Sequence, residues 1–175
     1  MMPYLRILLF LPIVFALAGC GYHLGEIKPT PMRRVSTIAV STFKNKTLIP
    51  RVEALTADAV VKQFQKDGTY QIDSADRADA IVEGTIITIE KQPMRIFSSN
   101  VLQTSEYNLT LTVSYRVFDR VSGAELMKGS ARGETPFFTE SDLVNFDLVT
   151  LQNMNYPTAA QRMAEMLVSK VSEGW

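Results

Sequence analysis

The chain has 175 residues, with 18 basic and 18 acidic side chains, one histidine and one cysteine. A charge balance this even gives no field of one sign, which sets nucleic acid aside as a partner, and a single cysteine rules out an internal disulfide framework. The length fits one ordinary domain behind a short leader.

Residues 1–19 have the layout of a secretory signal: Arg6 in a short start, an uncharged apolar run from Ile7 to Ala18, then Gly19. A transmembrane helix needs about 20 apolar residues, whereas this run is shorter and is interrupted by Pro12. Leu17-Ala18-Gly19-Cys20 resembles the lipobox of bacterial lipoproteins. That resemblance implies cleavage before Cys20, a thioether-linked diacylglycerol on its sulfur and an acyl chain on its new amino group. The lipid is then covalent, and no dissociable cofactor is expected. Each buried CH₂ contributes about 0.8 kcal/mol, so several acyl chains make a lasting anchor. By resemblance to lipoprotein sorting, Gly21 after the cysteine implies the outer membrane, with the body on the periplasmic side. Residues 20–34, with Gly21, Gly25, Pro29 and Pro31, read as a lipidated tether.

Residues 35–175 are expected to form a single domain. The β-branched run over residues 35–43 predicts a first strand, and Asn45-Lys46-Thr47 a polar loop. Pro50 suits a helix start, and Val52, Leu55, Ala59, Val60 and Phe64 put one apolar stripe on a helix that stops at Asp67-Gly68. A brief strand over residues 70–73 follows, so the first two strands should be parallel neighbours joined by a crossover. Residues 80–91 read as a longer strand of mixed parity, with Ile81 and Ile87 on one face and Val82 and Ile86 on the other. A bulge near Gly84 or burial on both faces would account for that. The sharpest signal is Tyr107, Leu109, Leu111, Val113, Tyr115 and Val117 alternating with polar residues, which predicts a strand with one face on a core and one wet or partner-facing. A turn at residues 119–123 leads into a returning strand over 124–135, giving an antiparallel meander. After Pro157, the positions Ala160, Met163, Ala164, Leu167, Val168 and Val171 repeat as a helix does. The expected fold is α+β: a two-layer sandwich, with a mixed, mostly antiparallel sheet of four or five strands and two helices packed on one face.

Chemistry-bearing residues are scarce. The single histidine, His23, falls on the tether, where rigid positioning for acid–base work fails. No His, Cys and carboxylate cluster has metal-site spacing, and no glycine-rich phosphate loop is present. Asp73, Asp76 and Asp79 flank a turn that lacks the Gly and bidentate Glu of a calcium loop. Met154, Met163, Met166, Phe137, Phe138, Phe146 and Tyr156 suit core packing better than a lipid groove. The chain is not expected to be an enzyme or to hold a metal.

Cys20-Gly21-Tyr22-His23-Leu24 and Thr104-Ser105-Glu106-Tyr107, with the order helix, meander, helix, resemble lipopolysaccharide-assembly lipoproteins of the LptE-like family. The resemblance implies a noncatalytic plug and chaperone that works with an outer-membrane β-barrel translocon (LptD-like) to load lipopolysaccharide into the outer leaflet. It further implies that Lys91 and Arg95, before the Glu-Tyr strand, with Lys128 and Arg132 beside the sheet, contact the anionic glycolipid through charge-assisted bonds. The loop between carries Phe97-Ser98-Ser99-Asn100. Ile38-Ala39-Val40, Phe43 and Asn45-Lys46-Thr47 also resemble other outer-membrane lipoprotein scaffolds, namely secretion-channel subunits and cell-wall-synthase activators, which stand as the alternative.

Overall fold

Residues 28–96, 104–138 and 148–174, which a computed structural model describes, form a mixed sheet with two helices on one of its faces. In chain order the elements are β1 (Thr37–Val40), β2 (Lys44–Asn45), α1 (Val52–Asp67), β3 (Gln71–Ile72), β4 (Ala80–Ile96), β5 (Thr104–Asp119), β6 (Glu125–Phe138) and α2 (Leu148–Glu173). The sheet runs β3-β1-β4-β5-β6, with β2 also on β4. β1 is parallel to β3 and to β4, as the compact strand–helix–strand order implies, and β4, β5 and β6 form the antiparallel meander. Cys20, the leader, Phe97-Ser98-Ser99-Asn100 and Phe146 lie outside the described residues.

The core sits between the sheet and the helices. From β5 it takes Leu109, Leu111, Val113, Tyr115 and Val117, and from α2 Ala160, Met163, Ala164, Leu167, Val168 and Val171, all buried. These are the residues that the two periodicities single out. On α1 the buried stripe is Val52, Thr56, Val60 and Phe64. Thr56 joins it because its hydroxyl donates to the Val52 carbonyl at 2.7 Å, which removes the cost of burying an unpaired polar group. Gly68 ends the helix with φ 79° and donates its N–H to the Phe64 carbonyl, the left-handed stop that glycine adopts without strain.

Four features depart from the sequence reading. The first strand is shorter, Thr37–Val40, and Lys44 with the first residue of the expected polar loop forms β2, parallel to β4 through Lys44↔Thr85 and Asn45↔Ile86. Gly84 is not the bulge: the register shifts between Ile86 and Thr88 instead. Ile87 is thus an extra residue, 38% exposed, while Val82 and Ile86 are fully buried. The last helix begins at Leu148, with Pro157 inside it; an interior proline removes the bond to the carbonyl four residues back and its ring crowds that carbonyl, at about 3 kcal/mol. Finally, within the segment read as a tether, Thr30–Met32 form a 3-10 turn and Met32 is fully buried. The packed body therefore includes residues that composition assigned to the tether.

Asp79 ties β4 to β1. Its Oδ2 accepts hydrogen bonds from the Ser36 and Thr37 amides, both at 2.9 Å, and those backbone donors hold its carboxyl below the ordinary aspartate value. A carboxyl whose folded pKa lies under the unfolded one stabilises the fold above the unfolded pKa, about 3.9, and that contribution disappears as pH falls through the folded pKa. Asp79→Asn should therefore flatten the fall of the urea midpoint on acidification below about pH 4, with little change in its slope above pH 5.

Candidate functional site

β4, β5 and β6 outrun the rest of the sheet, because β1 and β2 pair with β4 only as far as Ile86. From Ile87 onward β4 is an edge, and its sequence there is that of a guarded one. It carries a second register irregularity between Pro93 and Arg95, a proline that donates no ladder bond, and the cations Lys91 and Arg95. Lys91 is opposite Leu109, on the helix side of the sheet, and its Nζ lies 5.1 Å from the centre of the Tyr107 ring. Tyr107 stacks on Phe137 with centroids 5.4 Å apart and planes 16° apart. The result is a cation–aromatic ladder at the tip of the sheet.

Arg95 is opposite Glu106, on the outer face, and pairs with it at 3.5 Å. Lys128 is opposite Arg116, and Arg132 opposite Thr112, so both share that outer face. Lys128 pairs with Glu125 at 3.3 Å and Arg132 with Glu134 at 3.7 Å. The four cations named by resemblance are thus not one cluster: three lie on the outer face, and Lys91 on the other. Arg116, which sequence reasoning passed over, belongs with the three, 3.8 Å from Glu83 and with its guanidinium over the Phe118 ring. The polar half of the β5 alternation carried that signal. Exposed pairs of this kind contribute little stability, about 0–1 kcal/mol each, so each cation can re-pair with an incoming anion at small cost. Neither helix covers this face.

The β6 edge is closed from the other side of the sheet. Arg162 and Lys170 of α2 donate to the Glu134 and Ser130 carbonyls at 2.6 and 2.9 Å, and the Arg132 amide donates to Met166 Sδ at 3.4 Å. Residues one turn apart on one helix thus satisfy successive free groups of an edge strand, which would otherwise invite another strand. Of the side chains weighed as a lipid groove, Met163 and Phe137 are core, whereas Met154, Phe138 and Met166 are exposed. A shallow apolar groove of about 520 Å³ runs past Leu48, Pro50, Leu55, Tyr156 and Pro157, between the helices. The aspartates of the 73–79 turn are used locally. Asp73 accepts from the Ser74 amide and the Arg77 guanidinium, and Asp79 from β1.

A family model described as LptE, lipopolysaccharide-assembly, matches residues 35–172, from just before β1 to the end of α2. The chain belongs to the LptE lipopolysaccharide-assembly family. No curated protein sequence matches it. It resembles the protein CT253 from Chlamydia trachomatis, with TM-score 0.53 and 10% identity over 79% of this chain and 96% of that one. Protein XCC0632 from Xanthomonas campestris gives TM-score 0.53 and 10% identity over 77% and 81%. PelC from Paraburkholderia phytofirmans, solved as a dodecamer, gives TM-score 0.51 and 13% identity over 83% and 92%. Likeness at these identities extends to the fold alone. Among the described residues, no helix is long and apolar enough to cross a membrane.

Proposed function

We propose that this protein is an outer-membrane lipoprotein, anchored through acylated Cys20, that works without catalysis beside a β-barrel translocon in delivering lipopolysaccharide to the outer leaflet. The observation that carries the reading is the family match over residues 35–172. The geometry supports it in two ways. An uncovered sheet face of interleaved Glu and Arg or Lys suits a polar protein wall, because complementary charges fix register more than they add affinity. The tip of β4 and β5 offers Lys91 on an aromatic platform, an exposed ammonium that can donate to a phosphate. Arg95, Lys128 and Arg132 are further contacts for the glycolipid, made from the outer face.

The competing state is a ring of copies; PelC, of similar fold, was solved as a dodecamer. The capped β6 edge and the two-residue β3 at the opposite edge argue against strand-to-strand joining. The test is affinity capture of the tagged protein from envelopes solubilised in mild detergent. A large outer-membrane barrel should be recovered with it in equal amount, and Lys91→Ala should keep the barrel while retaining less lipopolysaccharide. Recovery of a homo-oligomer with no barrel would overturn the reading.

A further inference from the structure

We infer that the pole from which the tether leaves the body is a docking surface for an anionic phospholipid bilayer. The inference rests on the proposed anchor at Cys20. At this pole a groove of about 560 Å³ is lined by Arg33, Arg34 and Arg120, with Asp79, Asp119 and Val121. Arg33 and Arg34 follow the 3-10 turn directly, are exposed, and have no hydrogen-bond or ion-pair partner among the described residues. Arg120 is held in place by donating Nε–H to the Ala78 carbonyl at 2.7 Å.

The acids in the groove are committed to their own backbone. Asp79 accepts the Ser36 and Thr37 amides. Asp119 accepts the Val121 and Ser122 amides at 3.1 and 2.7 Å and the Ser122 hydroxyl at 2.7 Å. Those N–H dipoles offset the carboxylate charge locally, so the groove presents its guanidinium groups outward. Beside them Val121, 80% exposed at the tip of the β5–β6 turn, is an apolar residue on a surface of cations. Basic residues with an exposed aliphatic tip fit phosphate headgroups over acyl chain.

Chain length decides which bilayer this is. Only residues 21–27 separate the body from Cys20, and at about 3.5 Å each they hold the pole within roughly 30 Å of the anchored sulfur. Lys91 and Arg95, the glycolipid contacts at the tip, lie at the opposite end of β4 and β5. Docking by the pole would therefore point that tip away from the bilayer surface to which the pole is bound.

The experiment uses the acylated chain carrying Val121→Cys, labelled with a polarity-sensitive dye and reconstituted into vesicles of phosphatidylcholine, alone or with phosphatidylglycerol. Since Cys20 is the single native cysteine, one dye per chain also confirms that its sulfur is blocked. The emission should shift to the blue only in the anionic vesicles and revert in high salt. Arg33→Gln with Arg34→Gln should weaken the docked state by about thirtyfold, taking about fivefold per arginine at a charged surface. Lys46→Gln, just past β2 and outside the groove, should leave the shift intact. Equal emission in neutral vesicles, or a shift that survives the double substitution, overturns the inference. Two dyes per chain would mark the anchor reading as wrong. Sedimentation of that unacylated chain with preformed anionic vesicles, with and without the double substitution, then decides this inference separately.

Discussion

Gly133→Ala should lower the thermal midpoint by about 10 °C, the equivalent of about 3 kcal/mol in a domain of this size. Gly133 lies on β6 opposite Leu111, where α2 crosses the sheet. A Cβ there would fall inside the contact distance of the Ala159 carbonyl oxygen and the Met163 amide, and 2.9 Å from Met163 Cβ. Two of those neighbours are helix backbone, so no rotamer change can relieve the clash and the whole helix must move out. Ala159, Ala160 and Ala164 on the facing side of α2 are fully buried and are small for the same reason. Moving α2 also draws Arg162, Met166 and Lys170 off the β6 edge, so the variant should scatter more light through added self-association as it loses stability. Gly123→Ala is the contrast. Its φ is +69° but nothing lies within 4 Å of the added carbon, so only the backbone cost of about 1 kcal/mol applies. Equal losses for the two glycines would show that the helix is not in close contact at Gly133.

Most of the fold was legible because two of its elements are long and one-sided. Alternation along β5 and the three-and-four repeat after Pro157 name core residues directly, and burial matches them. What periodicity could not reach was short or interrupted. β2 has two residues, too few to show a period, and Met32 is a lone apolar side chain among prolines. The upstream part of α2 stays hidden because the three-and-four repeat is read only after Pro157.

The candidate site was less legible, for a geometric reason. Lys91 and Arg95 are four apart, and in a regular strand an even spacing keeps two side chains on one face. The irregularity between Pro93 and Arg95 adds one residue and turns Arg95 to the other side, as any single-residue slip must. Arg116, in contrast, was visible in the alternation all along. No chemistry attaches to a polar position until the face it shares with Lys128 and Glu83 is known.

Phe43→Ala should cost about 4 kcal/mol by urea unfolding, as expected for truncating a buried phenylalanine, and Gly84→Ala made in that background should return part of it. Phe43 is 2% exposed and bridges the gap where the chain leaves β1 and rejoins β4 as β2. Gly84 lies under its ring: a Cβ at that position would sit 2.5 Å from Phe43 Cδ2 and Cζ. In the otherwise native chain Gly84→Ala must push a rigid ring out of a packed core, at about 2 kcal/mol. Once the ring is gone, the added methyl group enters the space left behind. With the second change then favourable instead of costly, the two should couple by about 3 kcal/mol in a double-mutant cycle. The pair matters beyond stability because β2 carries Asn45. Its Nδ2 donates to the Ile49 carbonyl at 2.7 Å and to Glu53 Oε2 at 2.9 Å, fixing the start of α1. If the two costs simply add, Phe43 does not rest on Gly84, and the splice between the parallel and antiparallel halves of the sheet is held by something else.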